Sequence, residues 1–417
     1  MYVGSAIMCA MNQALPSTGV PAGTTLAIFC RVVDNYGDIG ICWRFARQLH
    51  HEHGIDVCLW VDDLVSFRRL HPPVDTGAQL QTQAGVTVRH WRAQEGAFQA
   101  HEVADIVIEF FACDIPEGYI TAMAQCDPRP VWLNFEGLTA EEWVEGCHRL
   151  LSPHPRLKLT KHFFFPGFTA RTGGLLRERD LLVRRRQFQN DPAARSAFLD
   201  ALGVRPQEQD ATLVSLFCYP HAPVSMLFEA WSEAGRAIAC LVPDGVARES
   251  VAAFLGAAAL PGAAATRGSL SVRVIPFLAQ DDYDRLLWAC DLNFVRGEDS
   301  WVRAQWAGRP FIWHIYPQDE NLHHKKLRAF LARYAGDLGS LATFALRWNG
   351  AAVEAEGESE ADAPGWGLLS ARLLDELPRA TRRTVEWEAA MAQHGDMAGN
   401  LLRFAASLRQ FPQKTRV

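Results

Sequence analysis

The sequence predicts an α/β protein built as two doubly wound halves that face one cleft. Three observations lead there. Short β-rich apolar runs alternate with helical patterns along the chain, the signature of parallel sheets joined by crossover helices. The 417 residues exceed one ordinary core, which implies two units of about 150 to 200 residues each. The strand and helix order also occurs twice, without an internal sequence repeat, on either side of a charged helical stretch.

The elements follow in chain order. Residues 1–23 lack a basic n-region and read as a disordered leader, with Met11 as an alternative start. The first half should place strands at 26–33, 55–61, 86–91, 105–111 and 131–135. A charged helical stretch, "LRERDLLVRRRQFQNDPAARSAFLDALGVRPQEQDA", then runs to Gly203 and Pro206 and sets a boundary near residue 209. Its arginine-rich part, Arg177 to Gln187, reads as a solvated helix face or a linker helix. Second-half strands are expected at 212–219, 237–242, 272–277, 292–295 and 310–315. The run "NGAAVEAEGESEADAPGWG" reads as a surface loop. The tail after it is helical by spacing. The expected division is therefore 24–208, completed by a C-terminal helix at about 387–417, and 209–386.

Bulk properties exclude several classes. A net charge of -6 argues against a protein that lives on nucleic acid, because that mode needs a basic surface to displace counterions. No apolar run approaches a membrane span. The ten cysteines never form a CxxC pair and read as buried thiols of a reducing cytoplasm.

In doubly wound sheets, ligands sit where strands run out into helices. The turn after the first strand, "VVDNYGDIGICWR", puts Asp34 and Asp38 there. Gly37 and Gly40 permit a sharp turn and close approach, and Asn35 tolerates unusual dihedrals. A purely structural role needs one acid, Asp38, to cap a helix beginning near Ile39; the second carboxylate leans toward function. A second loop, Arg296, Gly297, Glu298, Asp299 and Ser300, leads into a helix expected to end at Gly308. Asp299 or Ser300 suits its N-cap, and the free amides beside Arg296 suit a phosphate. Glu298 is awkward beside an anion and calls for another role. Phe217 and Tyr219, with Phe277 and Gln280, stand at comparable strand ends and could stack on a flat base and bond its edge, although core packing is the commoner use. His50, His51 and His53, like His323 and His324, read as polar helix positions without a metal set. Dinucleotide, P-loop and hydrolase glycine motifs are absent.

The strings "VDNYGDIGICWR", "LTKHFFFPGF", "RGEDSWVRAQWAG" and "WHIYPQDENLHHKKL" resemble those of the bacterial arginine rhamnosyltransferases that mature elongation factor P. The likeness runs from about Ala27 to the last helix; only the leader and the acidic loop near 354–363 look private. It implies a GT-B fold, with dTDP-β-L-rhamnose held chiefly by the second domain and elongation factor P by the first, and inverting transfer to an arginine. By the same resemblance Asp34, Asp38 and Glu298 match essential carboxylates. Phe217, Tyr219, Phe277 and Gln280 match nucleotide-recognition positions, with Arg296, Asp299 and Ser300 at the ribose and diphosphate end, Asn35, Tyr36, Gly37 and Gly40 forming the turn near both substrates. No metal or other cofactor, nucleic acid or membrane is expected. The alternatives are a GT-B enzyme with another nucleotide sugar or acceptor, including a sugar-nucleotide epimerase, and a silent elongation factor P binder; intact acids in both loops argue against silence.

Overall fold

The computed structural model describes residues 17–34, 36–91, 96–351 and 364–411. Asn35, most of the expected leader, the acidic loop 352–363 and residues 412–417 lie outside the described residues.

Two sheets organise the chain. The first contains β1 (Thr25–Cys30), β2 (Asp56–Val61), β3 (Leu80–Gln83), β4 (Val86–His90), β5 (Ile106–Phe110), β6 (Val131–Phe135), β7 (Leu151–Pro153) and β8 (Thr160–Phe164). Their order is β3-β4-β2-β1-β5-β6-β8-β7. The second contains β9 (Thr212–Leu216), β10 (Ile238–Pro243), β11 (Ala264–Arg267), β12 (Leu270–Ile275), β13 (Leu292–Arg296) and β14 (Phe311–His314), in the order β11-β12-β10-β9-β13-β14. All ten expected strands are present. Pairing is parallel except at three edges, where β3, β7 and β11 run antiparallel to their neighbours.

The central strands are apolar on both faces because helices cover both. From Leu26 to Cys30, β1 is buried throughout, as a strand between two helical layers must be. In each sheet the order reverses beside the strand that opens the half: β1 lies between β2 and β5, and β9 between β10 and β13. The crevice outside the carboxyl ends at such a reversal is where ligands bind in this architecture. Asp34 follows β1, Phe217 and Tyr219 follow β9, and Glu298 follows β13. Two such sheets are the GT-B arrangement.

Several boundaries move. The leader drawn through residue 23 is too long, since Val20 is buried and the Gly23 N–H reaches the Gly54 carbonyl at 2.8 Å. The tail forms two helices, Trp366–Ala392 and Met397–Leu408, broken at Gly395 with φ 78°. The first packs on the second half, where Trp387 Nε1 donates to Gln305 Oε1 at 2.6 Å. The second returns to the first half: the Met397 N–H bonds the Leu175 carbonyl at 3.1 Å, and Arg409 Nη2 bonds Asp105 Oδ1 at 2.8 Å. The arginine-rich segment is not solvated throughout, because Arg185 is buried against Glu388. Among the described residues no helix is long and apolar enough to cross a membrane, and the nine cysteines there are free.

Candidate active site between the two sheets

The turns after β1 and β13 meet across the cleft. The Asp34 carbonyl accepts the Gly37 N–H at 2.7 Å, and the first helix runs Gly37–His53. Asp38 therefore lies inside this helix instead of capping one that begins near Ile39. Its Oδ2 accepts the N–H groups of Val33 at 2.7 Å and Asp34 at 2.8 Å, folding the loop back onto the helix start. Asp38 thus takes two of the loop's amides, and Asp34 turns its own carboxylate to the other half.

The partner turn is built on Gly297, whose φ of 56° and ψ of -169° belong to a region that only glycine adopts without strain. A Cβ there would stand 2.6 Å from Asp34 Oδ2. The helix after it spans Glu298–Gln305 with Gly297 as its N-cap, which corrects the expectation of an Asp299 or Ser300 cap and of an end at Gly308. The reason is local: Ser300 Oγ accepts the Arg296 N–H at 2.9 Å and donates to the Arg296 carbonyl, while Asp299 is bonded to Arg44 Nε at 2.9 Å and Gln280 Nε2 at 3.0 Å.

Three carboxyl groups from the two halves converge on this junction. Tyr219 donates its hydroxyl to Asp34 Oδ2 at 2.7 Å, and the Leu138 N–H donates to Glu298 Oε2 at 3.0 Å. Burial raises the Asp34 carboxyl above its usual range, against the Tyr219 bond and the Arg296 charge. Burial also raises Asp38, against its two amide bonds, with the negative charges of Asp34 and Asp62 adding to the shift. Glu298 is pushed up to about 8, chiefly by burial, with Asp38 contributing and Lys326 opposing. A cation entering here would relieve all three, since an opposite charge favours the ionised carboxylate.

Two cavities flank the junction, and Asp34 and Gly297 line both. The larger, about 480 Å³, is also lined by Asp38, Glu298, Tyr316 and Lys326. The smaller is lined by Phe217, Phe277, Tyr283, Arg296 and Ser300. In it, the Arg296 guanidinium lies 4.5 Å from the Phe217 ring and 4.8 Å from the Tyr219 ring. Phe277 and Tyr36 sit with ring centres 5.1 Å apart. The expected aromatic set is thus brought together, with Tyr36 contributed from the first half. Gln280 lines this cavity too, but its amide is bonded to the Gly40 carbonyl at 2.9 Å, so it also joins the halves.

Some residues are placed differently or escaped the sequence. His323 is buried, where a polar helix face was expected, and its Nδ1 accepts the Gln318 N–H at 3.1 Å. The chain holds one DxD string, Asp282 to Asp284, whose acids have separate partners: Asp282 pairs with Arg285 at 3.0 Å, whereas Asp284 is buried between Arg44 and Arg303. Among the described residues no group of three or more His, Cys, Asp or Glu could hold a metal. Tyr316 and Lys326 were not singled out because nothing in their spacing distinguishes them from other loop and helix polar residues. Arg44 left a signal, a charge inside the apolar stripe "GICWRFA".

Comparison with known proteins agrees with this geometry. The family model described as Elongation-Factor P (EF-P) rhamnosyltransferase EarP matches residues 26–406. A protein-arginine rhamnosyltransferase of Pseudomonas putida is 53% identical over 323 residues, 77% of this chain and 84% of that relative. Another, of Pseudomonas aeruginosa, is 46% identical over 390 residues, 91% of this chain and 98% of its own. A solved structure described as the structural basis for EarP-mediated arginine glycosylation of translation elongation factor EF-P is 34% identical, with a TM-score of 0.60, covering 91% of this chain and 98% of that one.

Proposed function

The chain belongs to the family of elongation factor P rhamnosyltransferases, and from that premise we propose that it moves L-rhamnose from dTDP-β-L-rhamnose to an arginine side chain of elongation factor P, with inversion. In this reading it acts in the cytoplasm and activates the factor for ribosomes stalled at polyproline. The observation that carries the reading is the convergence of three burial-raised carboxyls, Asp34, Asp38 and Glu298, beside an aromatic cavity that holds Arg296.

The chemistry needs acids. A guanidinium keeps its proton below a pKa above ~12, and its lone pairs are delocalised, so it is a poor nucleophile. Asp34 orients the cation through charge-assisted hydrogen bonds while Tyr219 fixes its carboxylate. One terminal nitrogen then attacks the anomeric carbon and passes an N–H proton to Asp38. The carbon–oxygen bond to the diphosphate breaks, and its electrons leave with dTDP; the product side chain stays a guanidinium. Asp38 suits the base because both of its amide bonds fall on one oxygen, which fixes the carboxylate. Glu298, poised near neutrality, steadies the sugar or the growing charge from the opposite half. Arg296 and the amides at the start of the helix Glu298–Gln305 stabilise the departing diphosphate, with no metal invoked. Phe217 and Phe277 stack on the base. In this scheme residues 24–208 and the last helix hold the acceptor, and residues 209–386 the donor.

The test is the intact mass of elongation factor P after incubation with the enzyme and dTDP-rhamnose. A rhamnose-sized increment on one arginine, lost in Asp38→Asn, is expected; no increment with any dTDP-sugar would sink the reading.

A further inference from the structure

Arg44 is carried by the first helix, its side chain is shut off from solvent, and its hydrogen-bond partners all belong to the other half, with Glu178 of its own half 3.8 Å away. Nε donates to Asp299 Oδ1 at 2.9 Å. Nη1 and Nη2 reach the two oxygens of Asp284 at 3.1 Å each, and Nη2 also bonds the Gln280 carbonyl at 3.1 Å. Arg303 grips the same Asp284 carboxylate at 2.9 and 2.8 Å and reaches Glu178 at 2.6 Å. A guanidinium is a planar fork of five donors, so three partners set it in a single orientation. Gly40 supplies the clearance: a Cβ on it would lie 2.9 Å from Asp299 Oδ2 and 3.0 Å from Asp299 Cβ. Glycine within a helix is less stable than alanine, which fits a position where two elements must touch.

The residues gripped in this way, Asp299 and Gln280, line the smaller cavity, and the helix that grips them starts at the Asp38 turn. We propose that Arg44 is a positioning residue: it sets the Gln280–Asp299 wall of the donor cavity against the acid-bearing turn of the first half. The contact between helices Gly37–His53 and Glu298–Gln305 is thereby the fixed pivot about which the cleft closes. Parting the halves there would strand several buried charges, each strongly opposed by loss of solvation.

The kinetic arm of the test rests on the proposed function; the exchange arm does not. Arg44→Met, Arg44→Lys and Gly40→Ala are made in the full chain, and the donor KM, kcat, dTDP affinity by calorimetry, thermal midpoint and amide exchange are followed. Arg44→Met should weaken dTDP by about tenfold or more and speed exchange in both pivot helices, with Arg44→Lys recovering part of each. Gly40→Ala should raise donor KM by about threefold to tenfold while leaving kcat within about twofold, a split that a merely structural role does not produce. Donor KM and dTDP affinity within about twofold of wild type in both Arg44→Met and Gly40→Ala overturn the proposal, as does faster exchange confined to one of the two helices. Should the wild type transfer no rhamnose, the functional reading falls and the exchange result alone decides the pivot.

Discussion

Glu298 illustrates how one carboxyl can be tuned by its place at a junction of two halves. Its folded-state value of about 8, raised chiefly by burial, means the fold prefers the protonated acid. Below about pH 4 the side chain is protonated in both folded and unfolded chains and has no effect on stability. As pH rises toward 8 the unfolded chain gives up the proton first, so the folded state binds more protons and its stability falls, by up to about 1.4 kcal/mol per pH unit. Glu298→Gln, which cannot ionise, should therefore flatten the fall in thermal midpoint between about pH 5 and 8. Parallel midpoint profiles for wild type and variant would show that the buried acid is not set this way. The residues of the site were unevenly legible in the sequence. Asp34, Asp38 and Glu298 could be singled out because they stand in glycine-containing turns after strands, where one acid is enough for the local backbone and a further one is surplus. The partners that orient them could not: nothing local says that Tyr219 reaches Asp34, or that Arg44 spends its donors on Asp284 and Asp299, because those contacts join residues far apart in the chain.

Among the elements, legibility follows burial. The ten strands foreseen are apolar runs that must be covered on both faces, as in β1 with "LAIFC". The four that were missed, "LQTQ", "LSP", "TKHFF" and "AATR", lie at or next to sheet edges, where backbone pairing decides the conformation and side chains carry little pattern. Helix starts were misjudged for a related reason, since a glycine in an unusual conformation at Gly297 replaces the side-chain cap that the sequence suggests. The linker helix Leu181–Gln189 makes the same point for charge. Arg185 donates to both oxygens of Glu388 and to the Trp306 carbonyl at 3.2 Å, tying the linker to the helix Trp366–Ala392. Arg185→Met would leave Glu388 buried without a hydrogen-bonded cation, with Arg186 4.0 Å away and the charge of Arg177 as weaker counter-ions, and should cost about 3–5 kcal/mol, several degrees in thermal midpoint. The double change Arg185→Met with Glu388→Leu should recover most of that loss, because it removes both buried charges. A double variant no more stable than Arg185→Met would show that the ion pair is not the source of the effect.

At the scale of the molecule, the chain passes from the first half to the second through the linker helices and comes back at its end. The helix Trp366–Ala392 lies on the second half, and Gly395 turns the chain so that Met397–Leu408 can cover the first. The return is fixed at several points: Asp396 caps the helix through the Gly399 N–H at 2.8 Å, Asn400 Nδ2 bonds the Gly173 carbonyl at 2.9 Å, and Phe404 packs beside Phe164. Leu401, Leu402 and Ala405 are wholly buried, so the helix completes the first core as an integral layer. Removing everything from Met397 onward exposes that apolar face, while the six strands of the second sheet keep all their own pairing partners. Amide exchange on the shortened chain should therefore speed up most across β1 to β8 and the helix Gly37–His53 and least across β9 to β14, since the first half loses a covering layer of its own and the second does not. Equal loss of protection in both sheets would mean that the halves fold as one unit and that the last helix serves the whole interface. No change in either sheet would mean that its burial contributes nothing to the first core.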